Sequence, residues 1–229
     1  DSGVKHAVTG MEYEAARAAA FVGYRMICEW EQLAVRLDTE GRIPRYRDPR
    51  WNGYLSNVNP SLFRSRYETR LPESIGGAAL LAEGKQHTDP FTQIRPNGSY
   101  PIRACTRYAV EEQHRIELFV ELVRGLSHEP QHAGFRLLGD LMFQSHWSYT
   151  ECGLGCEATD RLIELVREEL GEGKLYGAKI TGGGAGGTVA VLGLRGARAS
   201  FERVVNRYAE QQGVMPDVFE GSSPGADKL

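Results

Sequence analysis

The sequence predicts an α+β fold in which helices pack on one face of a small antiparallel sheet. Two observations carry this expectation. Long segments with helical apolar spacing dominate the chain up to about residue 171, and beyond it short apolar runs that suit strands flank one further helix. The order from residue 157 onward reads helix, strand, strand, helix, strand, and a further strand is expected at Gly3 to Val8.

Met11 to Leu37 is rich in Ala, Glu, Arg and Leu, with Ala18, Phe21, Val22, Met26, Leu33 and Leu37 near helical spacing, so one helix is expected there. Thr9-Gly10 offers a start and Asp38-Thr39-Glu40-Gly41 a stop. From about residue 42 to 101 most of the ten prolines gather among Gly, Asn and Ser, which reads as a loop-rich insertion. Short helices at Pro60 to Tyr67 and Ile75 to Ala82 are the most this stretch supports, and its role is open between a cap over a ligand site and a plain insertion. Tyr108 to Leu126, with Val110, Ile116, Phe119, Val120 and Val123, predicts a second long helix, and Gln131 to Tyr149 a third. After Gly153 and Gly155 a fourth runs from Glu157 to Leu170, seamed by Leu162, Ile163, Leu165 and Val166 and closed by Gly171-Glu172-Gly173. Leu175 to Thr181, Gly187 to Leu194 and Val214 to Phe219 suit strands, and Ala197 to Gln212 a helix.

With 41% hydrophobic and 25% charged residues over 229 positions, the composition matches a folded soluble chain. The 27 basic and 30 acidic residues leave a formal charge of -3, which gives no broad attraction to nucleic acid or an anionic membrane and suits a small neutral or anionic ligand better. No apolar run reaches the ~18 residues of a spanning helix and no signal pattern opens the chain, so a cytoplasmic protein is expected. Cys28, Cys105, Cys152 and Cys156 are scattered, as reduced thiols would be, and Cys152 and Cys156 lack further ligands at zinc-like spacing, so no metal site is assigned. The opening Asp1-Ser2-Gly3-Val4, without an initiator methionine or a start signal, reads as a cut from something longer.

The strongest local signal is the run from Gly177 to Val191, in which Gly182 to Gly187 holds five glycines in six positions between two strand-like segments. Such a run means positive φ or a very close backbone approach, and its bare amides can form an anion-binding nest. Gly182, Gly184 and Gly187 match the dinucleotide fingerprint in spacing, but that motif needs a helix directly after it, and here a β-run follows. A Walker-type loop fails too, because no Gly-Lys-Ser/Thr ends the run. A tight hairpin whose glycines merely permit a bend remains an alternative.

Gly-Ala-Lys-Ile-Thr-Gly-Gly-Gly-Ala-Gly-Gly-Thr-Val, residues 177 to 189, resembles the third, C-terminal motif of the GHMP kinases. Asp1 to His6 followed by Glu12-Tyr13 and Arg17 resembles the entry of galactokinases into their C-terminal domain; Arg107 to Arg115 with Glu117, and Leu141-Met142 with Ser145-His146, resemble two of their helices. Tyr54 to Asn57, Cys152 to Gly155 with Thr159 to Leu162, and Phe219 to Ala226 are similar to plant-type arabinokinases. The similarity spans nearly the whole chain. Another superfamily branch, such as a mevalonate or homoserine kinase, is disfavoured by the segment from Phe219 to Ala226.

The resemblance implies a ferredoxin-like GHMP C-terminal domain over residues 1 to 229, interrupted by the insertion at about 42 to 101. It also implies transfer of the γ-phosphoryl of Mg-ATP to a monosaccharide hydroxyl in a cleft between two domains. The N-terminal domain, with its Pro-rich phosphate loop and catalytic aspartate, has no counterpart here, so no catalytic residue is assigned and the isolated chain is expected to be inactive. ATP and Mg²⁺ belong to the complete enzyme, and neither is expected to bind tightly to this chain alone. Thr181, Gly182, Gly183, Gly184, Ala185, Gly186 and Gly187 are assigned to support of the phosphate loop, and Tyr13 to a hydrogen bond with the sugar, with a core tyrosine near a helix start as its alternative. Lys179 is expected to be solvated, His146 and His6 to make structural hydrogen bonds, and Asp160 to serve a helix end or a salt bridge. The implied partners are the N-terminal kinase domain and a small sugar, with self-association through an exposed cleft surface that includes the glycine loop and part of the apolar face of the first long helix. A non-catalytic small-molecule-binding or regulatory domain of the same fold is the alternative from a different class.

Overall fold

The computed structural model describes residues 1–3, 10–37, 43–84, 87–128, 131–171 and 174–221, with the backbone alone at 127 and 128. Helix α1 (Met11–Trp30) follows Gly10, whose left-handed φ of 66° turns the chain into it. It stops well before Leu37, because Gln32 adopts a φ of 54° and breaks the helical path. Val35–Leu37 is instead strand β1, paired antiparallel with β2 (Pro44–Tyr46), Val35 opposite Tyr46. Leu37 had fitted a helical period, but it is largely exposed and marks no buried helical face.

The stretch read as loop-rich is a set of short elements joined by turns. Asn59 caps α2 (Pro60–Arg66) by accepting from the N–H groups of Ser61 and Leu62 at 2.9 and 3.2 Å, with Pro60 at the first helical position. Strand β3 (Ile75–Gly76), helix α3 (Gly77–Ala82) and strand β4 (Ser99–Tyr100) follow, with β3 and β4 antiparallel. Trp51, Phe63, Tyr67, Leu71 and Tyr100 are buried in one cluster with Ala18, Val22 and Ile27 of α1 and with Ile102 and Val110 of α4 (Ile102–His128). Prolines and glycines set the turns; the apolar residues between them build one of the two cores.

The second core joins α5 (His132–Glu151), α6 (Glu157–Glu168) and α7 (Arg198–Gln212) to strands β5 (Leu175–Ile180) and β6 (Val189–Gly193). Phe143, Ile163, Leu165, Val166, Ala178, Val204 and Tyr208 lie within it. β5 and β6 are antiparallel, with Ala178 opposite Val191 and Ile180 opposite Val189. The backbones of α5 and β5 touch through Gly139 and Gly177, where no side chain intervenes. Ser2 ties the start of the chain to this unit: its N–H donates to the Gly187 carbonyl at 2.9 Å and its carbonyl accepts from the Tyr208 hydroxyl at 2.9 Å.

Val214 to Phe219, expected as a strand, is irregular. Pro216 lacks the N–H a ladder needs, and Val214, Met215, Val218 and Phe219 are exposed, so no buried face holds them in register. Of the strand expected at Gly3 to Val8, residues from Val4 on lie outside the described ones, so among the described residues the sheet bearing the glycine loop is two-stranded. The apolar face of α1 is covered, with Ala18, Ala19 and Ile27 fully buried, whereas α4 exposes Ile116, Val120 and Val123. Cys28, Cys105 and Cys152 are buried free thiols and Cys156 is half-buried. Among the described residues no helix is long and apolar enough to cross a membrane.

Candidate functional site

The loop between β5 and β6 is closed at its base by the Thr181 N–H, which donates to the Thr188 carbonyl at 2.9 Å, and the Thr181 hydroxyl donates to the same oxygen at 3.0 Å. Above that base, Gly182, Gly184, Ala185, Gly186 and Gly187 all have positive φ, which an L side chain occupies only with strain; Ala185 bears it at 55°. The glycines therefore do permit a bend, and the loop also has two unlike edges.

Its inner edge is pinned to the connection between α5 and α6. The Ala185 N–H donates to the Leu154 carbonyl at 2.6 Å, and a Cβ on Gly184 would stand 2.7 Å from that same oxygen and 2.9 Å from Cε1 of Tyr149. The Tyr149 hydroxyl donates to the Gly182 carbonyl at 3.1 Å. The outer edge is open: Thr181, Gly182 and Gly183 are exposed, and a Cβ on Gly182 or Gly183 would meet nothing within 4 Å. This contrast is testable by stability alone. Gly182→Ala carries only left-handed strain, of about 1 kcal/mol, while Gly184→Ala adds a clash with backbone and is expected to cost about 2 kcal/mol or more in urea unfolding. Equal losses would mean that the Leu154 contact does not hold the loop.

Tyr13, on the first turns of α1, is 49% exposed, so it is no core residue. It lies beside Tyr149, whose phenol is pushed up to about 12, first by burial and then by the neighbouring Tyr13. Tyr149 packs on Tyr108 with ring centroids 5.3 Å apart, so a short tyrosine series leads from α1 to the loop carbonyl. Behind Tyr13, Arg17 forks onto Asp89 at 2.8 and 3.0 Å, and the Thr92 hydroxyl donates to Asp89 at 2.8 Å. Burial alone would raise the Asp89 carboxyl, but Arg17 and Thr92 outweigh it and hold it at about 2. The Arg17 guanidinium also lies over the rings of Phe21 and Phe91, at 5.2 and 6.0 Å. The residues near 90 thus fold back onto α1 beside Tyr13, a proximity that no spacing in the sequence announces.

Of the remaining polar residues, Lys179 and His146 resolve differently from their sequence reading, whereas Asp160 stands at the helix end expected of it, on the first turn of α6. Lys179 is not a solvated lysine: its ammonium donates to Glu112 at 3.1 Å, and Glu112 also accepts from Ser145 at 2.6 Å and Arg115 at 2.8 Å. Burial would raise Glu112, and these three partners together hold it below the ordinary carboxyl range. His146 is fully buried, and its Nε2 comes within 3.2 Å of Asp160, a carboxylate on the first turn of α6, without the alignment of a hydrogen bond. Burial, then the charge of Lys179, lowers the imidazole to about 4, so it is neutral near pH 7. The expected structural hydrogen bond is therefore replaced by a buried neutral ring beside an acid. His6 lies outside the described residues. Among the described residues no group of three or more His, Cys, Asp or Glu could hold a metal ion.

With this geometry in place, comparison with known proteins is decisive for the family. Residues 118–211, from within α4 through the glycine loop into α7, match the family described as GHMP kinases C terminal. Residues 118–211 form a GHMP kinase C-terminal domain. The chain carrying this GHMP domain is 35% identical over 250 residues to an L-arabinokinase of Arabidopsis thaliana, across 100% of the chain and 24% of that protein. It is 30% identical over 204 residues to a galactokinase of Thermotoga petrophila, across 86% of the chain and 55% of that protein. Lactococcus lactis galactokinase, solved in complex with galactose, shares the fold at a TM-score of 0.58 and 18% identity, over 94% of this chain and 42% of its own. The chain spans from about a quarter to about half of the length of these relatives. The glycine loop falls inside the GHMP domain match, and Tyr13 and the Arg17–Asp89 pair fall outside it.

Proposed function

We propose that this chain works as the C-terminal domain of an ATP-dependent sugar kinase, phosphorylating a monosaccharide hydroxyl together with an N-terminal domain that carries the phosphate loop and the catalytic aspartate. One observation supports this most: a loop pinned on its inner edge that presents bare main chain, Thr181 to Gly183, on the outer one. Phosphoryl transfer depends on positioning and on stabilising the charge of the moving group, so a rigid surface without side chains can seat a phosphate-binding segment without donating a ligand itself. Bound Mg-ATP supplies the γ-phosphoryl and the neutralising charge. In this chain, Thr181 to Gly183 would lie against the segment that holds those phosphates, Gly184 and Ala185 keep the loop from moving, and the half-exposed Tyr13 offers its hydroxyl to the sugar. Alone, the chain is expected to have no turnover.

The test is carried out in the complete enzyme. A Cβ at Gly183 would meet nothing in this chain within 4 Å, and the residue is exposed with no left-handed φ, so Gly183→Leu should fold normally and lower kcat/KM by at least about tenfold through its clash with the facing segment. Wild-type kinetics would refute the role of the loop. Tyr13→Phe removes one hydrogen bond and should raise the sugar KM by about three- to tenfold with kcat nearly unchanged. An unaltered KM would take Tyr13 out of the sugar site.

A further inference from the structure

At the far end of β5 from the glycine loop, a concave cavity of about 730 Å³ opens between the start of α5, the end of α6 and Leu175–Tyr176. Four strand residues separate Tyr176 from Thr181, which places this cavity roughly 15 Å from the loop and outside the proposed reaction site. Its chemistry is lopsided. Among the described residues, Arg136, Arg167 and His132 line it against a single carboxylate, Asp140, which already accepts from the Gln144 amide at 2.7 Å. Neither arginine has an ion-pair partner among the described residues, although most of the arginines in those residues do. A guanidinium stays charged throughout the accessible pH range, so two of them facing one cavity create a fixed positive field.

The walls are built rather than incidental. Tyr176 is 4% exposed, and its hydroxyl lies 2.9 Å from Nδ1 of His132, which fixes the ring and leaves Nε2 without a partner among the described residues. Phe135 packs against Tyr176 at 5.4 Å, and the Arg167 guanidinium is held over the Phe143 ring at 5.5 Å. The Gly139–Gly177 contact locks α5 to β5 directly behind the cavity. Leu137 and Leu175 supply apolar surface between the cations.

We propose that this cavity is a second binding site, for a small molecule that carries a phosphate monoester beside a ring or other compact apolar body. The phosphate would lie between Arg136 and Arg167, with Nε2 of His132 as a third contact, and the body against Phe143 and Leu175. A phosphate monoester suits this array better than a carboxylate, because three terminal oxygens can accept from two guanidiniums at once and its charge approaches two at neutral pH.

The experiment is a titration of the 229-residue chain at neutral pH and 150 mM salt with phenyl phosphate, benzoate and benzyl alcohol, followed by amide chemical shifts and by the imidazole resonances of His132. Saturable shifts confined to residues around 132 to 140, 167 and 175 to 176 are expected with phenyl phosphate, weaker ones with benzoate and none with benzyl alcohol. Arg136→Gln and Arg167→Gln, both exposed and therefore compatible with folding, should each weaken phenyl phosphate by about fivefold or more, and together by more than either alone. Benzoate binding as tightly as phenyl phosphate would overturn the phosphate assignment. Shifts scattered over the basic surface, no saturation at millimolar concentration, or unchanged affinity in the double variant would overturn the site.

Discussion

Gly139→Ala is expected to destabilise the chain by about 3 kcal/mol, although glycine-to-alanine in a helix interior ordinarily stabilises by up to about 1 kcal/mol. The reversal comes from the seam between α5 and β5. A Cβ on Gly139 would stand 1.8 Å from the Tyr176 carbonyl oxygen and 2.4 Å from its carbon, and a Cβ on Gly177 would stand 2.3 Å from the Gly139 Cα. All these neighbours are backbone, so no rotamer change relieves the contact. The helix must move away from the strand, and the buried packing of Phe143 and Ala178 loosens with it. Gly125→Ala is the matching control, since it lies exposed in α4 and its Cβ would meet nothing within 4 Å. Urea unfolding of the two variants should give shifts of opposite sign. A Gly139→Ala protein as stable as its parent would show that α5 does not rest on β5 as closely as the structure places it.

That seam was only half legible in the sequence. The apolar rows of α4, α5 and α6 repeat every three or four residues because each helix has one face turned to a core, so their existence could be read locally. Gly139 gave no such signal, since its meaning depends on a strand that arrives at Tyr176. The same limit applies to the region from 42 to 101: its prolines and glycines are visible as turn signals and its two short helices, Pro60–Arg66 and Gly77–Ala82, as local patterns, but the burial of Trp51 and Tyr67 depends on α1 and α4, which lie elsewhere in the chain. The glycine run forecast a bare loop, because glycine alone adopts those φ values without strain, but not that Gly184 faces Leu154 while Gly183 faces open space. Polar pairs were least legible of all. Lys179 and Glu112 are 67 residues apart and Arg17 and Asp89 are 72 apart, so each residue by itself looked like a surface charge.

His146 is the polar residue whose consequence reaches the whole fold, and it should make stability fall as the solution is acidified from pH 7 to pH 5. Burial lowers the imidazole to about 4, whereas an unfolded histidine titrates near 6.5. Between these values the unfolded chain takes up a proton that the folded chain refuses, so unfolding gains about 1.4 kcal/mol per pH unit below 6.5, and the loss levels off near pH 4 at about 3 kcal/mol. His87, also lowered by burial, acts in the same direction. Carboxylates held low by partners, such as Asp89 and Glu112, lose their contribution only below their ordinary values near 4, which leaves the range from 6.5 to 5 to the histidines. Asp160, raised by burial, takes its proton early in the folded state and offsets part of the loss toward the acid end. The measurement is the urea unfolding free energy at pH 7, 6 and 5, for the parent and for His146→Asn. The parent should lose about 2 kcal/mol or more across that range, and the variant should show a shallower slope whatever its stability at pH 7, because asparagine has no proton to refuse. A flat profile in the parent, or an identical slope in the variant, would mean that the imidazole is protonated inside the fold and that Asp160 is its counter-ion.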